Sequence, residues 1–304
     1  MSRPAEGRAG LRVPLNFASV YIFWGSTYLA MRYGVQDMPP ALLAGTRFAI
    51  AGGLLFTWLR WRRVPLPPAR LLGPIAVTGL LLLAGGNWMV TVSVQTVPSG
   101  MAAVIIANVP FFMVAIEALR RDGERITPLV AAGLVVGFLG MLILMWPKIT
   151  ALGSRGWEAA PGEIALLAAN VSWAFGSIYS KHRVRGVAPL MAVALEMLIA
   201  GAALLLIGTL LGEAPRYQVT RRSATAVGWL IVAGSLFGYS SYIWLLGHVP
   251  AAKVSTYAYV NPVIAIVLGW LFLGEAVGAR MAVGTAVILG GVAAVNIARV
   301  RTRA

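Results

Sequence analysis

Cysteine is missing from this chain altogether, and histidine occurs only at His182 and His248. Disulfide frameworks and thiolate metal sites are thereby excluded, and so is a histidine-rich metal cluster. Acids are scarce as well: ten Asp and Glu stand against 25 Lys and Arg in 304 residues. Charged residues of all kinds reach only 12%, where a soluble domain carries about 25%. A soluble enzyme, a disordered tail and a fibrous repeat are all excluded by that shortage. What is abundant is apolar. Hydrophobic residues make up 59% of the chain, and its mean hydropathy is +0.80. A polytopic membrane protein remains.

A bilayer-spanning helix needs about 20 mostly apolar residues. Runs of that kind, between charged or Pro/Gly-rich breaks, predict ten spans: 15–33, 41–59, 71–93, 98–119, 127–146, 162–180, 188–211, 224–246, 250–272 and 277–298. Little of the chain is left for a soluble domain. The opening stretch MSRPAEGRAGLRVP is basic and lacks a small-residue cleavage pattern, so it reads as a cytoplasmic tail before an uncleaved helix.

The Lys/Arg bias sets the orientation. With the N-terminus inside, Arg32, Lys148, Arg155, Arg216, Arg221, Arg222 and Arg280 fall outside, and Arg47 lies within a span. The remaining seventeen basic residues fall on the cytoplasmic side, so the only dissent is the loop at 213–223. The charge of +15 is therefore mostly topology signal. No basic, aromatic-interleaved soluble face for nucleic acid is present.

The first five spans resemble the last five. GSTY (Gly25–Tyr28) matches GSIY (Gly176–Tyr179), and the segment from Pro40 matches that from Pro189. Pro98 and Pro110 match Pro250 and Pro262 with the same spacing, and Gly133 and Gly140 match Gly284 and Gly291. An odd number of spans per copy makes the second copy enter the membrane from the opposite side. The expected fold is an all-α polytopic membrane protein, ten transmembrane helices as two inverted five-helix repeats. Its expected parts are a cytoplasmic tail (1–14), a first repeat (15–146), an extracytoplasmic linker (147–161), a second repeat (162–298) and a second cytoplasmic tail (299–304).

Several segments carry a family resemblance: WGSTY (Trp24–Tyr28), GTRF (Gly45–Phe48), NVP (Asn108–Pro110), SWAFGSIYS (Ser172–Ser180) and TYAYVNPVIAIVLGWLFLGE (Thr256–Glu275). Together they resemble the drug/metabolite transporter superfamily, and more narrowly its EamA-like ten-helix branch. The resemblance covers about residues 15–298. It implies a bacterial inner-membrane location with both termini cytoplasmic, and export of small metabolites, amino acids above all. The aromatic and neutral amino-acid exporters of the branch are the nearest reading. Small four-helix relatives carry an acid in their first helix for proton coupling; span 1 here has none, so facilitated or potential-driven export competes with proton antiport.

Residues i and i+4 share a helix face, and intramembrane polar groups tend to mark substrate paths. On that basis the candidate substrate residues are Trp24 and Tyr28; Asn87, Trp88 and Thr91; Asn108; Trp173 and Ser177; Tyr239 and Tyr242; and Tyr257 with Asn261. For Ser and Thr the competing reading is interhelical glue. Tyr21, Trp146 and Trp157 read as interfacial anchors. Pro98, Pro110, Pro250 and Pro262 are candidate gates or hinges, Pro110 and Pro262 freeing the carbonyls of Ile106 and Ala258.

Arg47 and Glu196 are the intramembrane charges. Seven residues from opposite span starts place each about 10 Å deep, so they are not expected to touch. A carbonyl, Asp37 or water is the expected partner of Arg47, and Lys181, His182 or Arg183 that of Glu196. Glu196 is also the one acid able to exchange a proton from the cytoplasmic side. His182 and His248 read as solvated. No nucleophile triad, metal set or nucleotide motif is found, so no cofactor, no metal and no enzyme activity are expected. The expected partners are a small-molecule substrate and membrane lipid, with a monomer as the working expectation. A membrane enzyme or receptor would need a catalytic set or a deep lysine, and Lys253 lies too close to a helix start. A drug or nucleotide-sugar transporter is the alternative on the same fold.

Overall fold

The computed structural model describes residues 5–119, 128–155, 160–249, 254 and 257–301. Among these, ten long helices follow one another and no strand occurs. Helix α1 (5–34) runs unbroken through Ala5–Ser19, Val20–Trp24 and Gly25–Gly34. Next come α2 (Pro40–Trp61), α3 (Ala69–Ser93) and α4, which is split into Ser99–Ile106 and Val109–Ala118. Helices α5 (Pro128–Arg155), α6 (Pro161–Arg183) and α7 (Pro189–Leu210) follow. Last are α8 (Arg221–His248), α9 (Tyr257–Leu273) and α10 (Ala279–Arg301). Proline opens α2, α6 and α7, where its fixed φ suits the first turn and its missing N–H costs nothing.

Helix extends into two segments expected to flank the spans. The first tail is helical from Ala5. Helix α5 continues through Pro147 to Arg155, so the expected linker is helical up to that residue. The Thr150 hydroxyl donates to the carbonyls of Trp146 and Pro147. Pro250, Lys253 and Trp157 lie outside the described residues.

By length and composition, α2, α3, α4, α7 and α8 can each cross a membrane, and α5, α9 and α10 contain shorter apolar stretches. The equivalent helices α1 and α6 are not among these eight. Each turns polar residues inward: Thr27 in α1, and Asn170 and Ser177 in α6, are all buried. The chain is an all-α polytopic membrane protein.

The two repeats meet through their own equivalent helices. Helix α2 packs along α7, and α5 along α10, both antiparallel. A Cβ on Gly52 would lie 2.8 Å from the Leu198 nitrogen, and one on Gly201 2.6 Å from that of Ala49. At the offset of the Pro40/Pro189 match these are the same contact seen twice. Gly140 against Ile288 and Gly291 against Gly137 repeat the relation in the other pair, at 2.8 and 2.6 Å. Small residues let membrane helices approach this closely. Antiparallel packing of equivalent helices is the geometry of an inverted repeat, with its pseudo-twofold axis through both crossings.

A second internal match was not foreseen. The backbone widens to i→i+5 hydrogen bonding at Leu80–Asn87 in α3 and at Leu230–Tyr239 in α8. These segments are equivalent at the offset of the proline pairs, and Val20–Trp24 in α1 is wound the same way. Such turns gather at functional sites.

Candidate functional site

The widened turns converge on a central cavity of about 50 Å³ between the repeats, room for a few waters. Both repeats supply its wall. From the first come Trp24, Thr27, Tyr28, Met31, Arg47, Gly86, Asn87 and Val90, with Ile106 and Val109 flanking the break in α4. From the second come Ala169, Trp173 and Tyr257.

Arg47 is the only charged group in this wall, and it is 2% exposed. Its Nε donates to Ser235 Oγ at 2.9 Å and its Nη1 to Asn87 Oδ1 at 3.1 Å. The guanidinium also lies 4.8 Å from the Phe48 ring centroid. Two of the five N–H donors of the guanidinium are thus used, and no carboxylate lines the cavity among the described residues. The widened turn of α8 makes room for it: a Cβ on Gly234 would collide with Nη2. The carbonyl of Gly234 accepts from Trp24 Nε1 at 3.1 Å.

An aromatic layer closes the cavity on one side. Trp24 lies 5.4 Å from Trp173, 5.0 Å from Tyr242 and 5.4 Å from Tyr257, centroid to centroid. Tyr242 is pinned by Ser177 at 2.8 Å and by Trp173 Nε1 at 3.2 Å. Beyond this layer a separate vestibule of about 440 Å³ opens beside His248. Lys181, Arg185 and His248 line it, and Glu196 forms part of its wall. Glu196 is 0% exposed, and its Oε2 accepts from Tyr239 at 2.6 Å.

The opposite face is tied shut. Asp37 receives Arg222 Nη2 at 2.9 Å and Nε at 3.2 Å, and the Thr220 hydroxyl at 2.5 Å. Arg222 also reaches Gln36 at 2.7 Å. The Arg222 hydrogen bonds, then that of Thr220, hold the Asp37 carboxyl below the usual carboxylate range. Glu213 caps α2 through the amides of Ala41 and Leu42, and Glu275 caps α4 through those of Ser99 and Gly100. Arg32 donates to the Val94 carbonyl.

The candidate residues thus divide. Trp24, Tyr28, Asn87, Trp173 and Tyr257 line the cavity. Tyr239, Tyr242 and Ser177 stand one layer behind, bracing it. Trp88 packs on the apolar core instead. Thr91 turns back to the Asn87 carbonyl and Met31, in keeping with the glue reading. Asn108 bonds the Ile105 carbonyl within the break. Asn261 is buried but outside the cavity wall.

Two expectations on partners are corrected. Asp37 serves Arg222 across the loops, because both lie at the membrane face while Arg47 is well inside. Glu196 is held by Tyr239, since Lys181 and its neighbours stay at the rim of the vestibule. At the α4 break the Ile105 carbonyl accepts from the Asn108 side chain and, unforeseen, from that of Asn170, each at 3.0 Å. The Asn108 N–H closes the turn on that same carbonyl at 3.2 Å, and Pro110 has no N–H to offer the Ile106 carbonyl. Pro98 stands at the cap of α4, and Pro262 lies inside an unbroken α9. Asn170 could be suspected as a polar residue inside an apolar span. Asn and Arg separated by 40 positions gave no such signal.

Comparison with known proteins adds a family. The EamA-like transporter family matches residues 14–146 and again 160–297. The chain is 41% identical over 258 residues to the "Uncharacterized inner membrane transporter YedA" of Escherichia coli, covering 84% of this chain and 81% of that protein. It is 27% identical over 284 residues to the "Uncharacterized transporter YoaV" of Bacillus subtilis, covering 93% and 96%. A crystal structure at 22% identity shares the fold, with a TM-score of 0.70 over 94% of this chain and 98% of that one.

Proposed function

This chain belongs to the EamA-like transporter family, and we propose that, as a small-molecule transporter of the bacterial inner membrane, it exports amino acids with aromatic or neutral side chains by alternating access. One observation carries the substrate reading: Arg47 faces a cavity that offers it no carboxylate among the described residues. A buried guanidinium without a counter-charge is costly, and an arriving carboxylate removes the cost through a paired, charge-assisted hydrogen bond. Trp24, Tyr28, Trp173 and Tyr257 provide apolar faces for the rest of the ligand.

The closed arrangement supports a rocking cycle between the repeats. One face is latched by Asp37 and Arg222, and the other opens to a vestibule stopped by the aromatic layer. The cavity is too small for an aromatic amino acid as it stands, so loading separates Trp173 and Tyr242 from Trp24 and Tyr257. The Lys/Arg bias places the vestibule on the cytoplasmic side, the loading side for an exporter. Spans 3–4 and 8–9, which carry the matched prolines, then move as the gates. We read the chain as a transporter and not an enzyme.

Counterflow in liposomes tests the reading, with a panel of radiolabelled amino acids and the matching amines that lack the carboxylate. Amino acids should exchange and amines should not, and Arg47→Gln should lose the exchange. Equal exchange of amine and amino acid, or an unaffected Arg47→Gln, would overturn it.

A further inference from the structure

We propose that the vestibule ending at Glu196 is a proton path, and that Glu196 binds the proton while Tyr239 passes its effect to the central cavity. The inference rests on the transport reading only for its kinetic half. Glu196 is 0% exposed; Oε2 is engaged by Tyr239, and the buried Oε1 has no hydrogen-bond partner. No cation lies within ion-pair distance among the described residues. A lone carboxylate in such a place is costly as the anion, unless it takes a proton or a cation during the working cycle.

The surroundings favour the proton. Ile243, Leu246 and Val184 give the vestibule apolar walls, and Lys181 and Arg185 give it a cationic rim that repels metal cations. The helices packed on α7 offer no compensating charge. Helix α2 meets it here through Gly52, and α3 through Gly79. Arg47 and Arg60 of α2 and Arg70 of α3 make no ion pair with Glu196. On α8, Tyr239 touches it and His248 stands at the rim.

Tyr239 is the positioning residue. Its hydroxyl meets Glu196, and its ring lies 6.4 Å from that of Trp173, which lines the cavity. When a proton passes from vestibule water to Oε1, the carboxyl becomes neutral. The charge-assisted bond from Tyr239 then falls to the strength of a neutral one, and the ring is free to move with Trp173. Protonation is thereby linked to the aromatic layer that bars the substrate.

Infrared difference spectra of the purified protein between alkaline and mildly acidic pH test the site without any substrate. A carboxylic-acid C=O band should appear on acidification, be lost in Glu196→Gln, and persist at a shifted frequency in Tyr239→Phe. In liposomes, an imposed pH gradient should drive accumulation by the native chain and not by Glu196→Gln, while counterflow of the same substrate continues. Should Glu196→Gln fail to fold, Tyr239→Phe carries the test. Gradient-driven transport undiminished in Glu196→Gln, or a band that neither disappears in Glu196→Gln nor shifts in Tyr239→Phe, would overturn the proposal. If the band behaves as expected but no amino acid exchanges, the substrate reading has failed and the proton site stands. The reverse result separates them the other way.

Discussion

Arg47 and Glu196 occupy equivalent positions in the two repeats, and neither serves the other. Each is held by the residue that ends the widened turn of its own repeat: Asn87 for Arg47, Tyr239 for Glu196. Asn87 and Tyr239 are themselves equivalent at the offset of the matched prolines. One geometry therefore presents a cation to the central cavity and an anion to the vestibule.

Asn87 fixes the guanidinium. In Asn87→Ala the protein should fold and lose a hydrogen bond to a charged group, a loss of about 1.5–3 kcal/mol. Apparent substrate affinity should weaken by about tenfold or more, with maximal exchange less affected. Counterflow across substrate concentrations reads this split, and an unchanged apparent affinity would count against Asn87 as the orienting group.

Trp173 lines the cavity and packs on Tyr239, which holds Glu196 of the vestibule wall. Trp173→Ala should join the two spaces, so that substrate leaks down its gradient whenever the Asp37–Arg222 face opens. Efflux from preloaded liposomes into substrate-free buffer measures the leak. Tight liposomes would show that Trp173 is not the barrier.

The Asp37–Arg222 latch has a defined pH sense. Its carboxyl titrates below the usual range in the folded chain, so its stabilisation is complete above the ordinary carboxylate pKa. The stabilisation is lost as pH falls through the lowered value. At neutral pH the latch is closed, and Asp37→Asn should mimic acid by opening that face. Thr91, buried now and equivalent to Ile243 of the vestibule wall, reports the opening. In the cysteine-free chain, Thr91→Cys should react with an impermeant thiol reagent faster once Asp37→Asn is added. Equal rates would place the closure elsewhere.

Gly201 and Gly291 hold the repeat interface. Leucine at either position would drive a side chain into backbone of the facing helix and should cost about 1–3 kcal/mol or more. The same substitution at Gly53, which has open space around it, should be near neutral. Thermal unfolding in detergent should show the difference as a lower Tm for the first two.

Hydropathy, the Lys/Arg bias and the ordered matches between halves determined the spans and the inverted repeat. These are local or periodic properties of the chain, set by what a lipid solvent tolerates. The sequence also supplied the types of residue at stake, intramembrane Arg and Glu and aromatic residues at helical spacing. Which of them meet was decided only in three dimensions. Helical spacing places Asn261 on the face of Tyr257, yet the cavity takes Tyr257 and leaves Asn261 behind it. Asn87 and Tyr239, which end the widened turns of α3 and α8, meet Arg47 and Glu196. A turn of that kind depends on neighbouring helices supplying partners, such as Trp24 for the Gly234 carbonyl, and no single span's sequence encodes those partners.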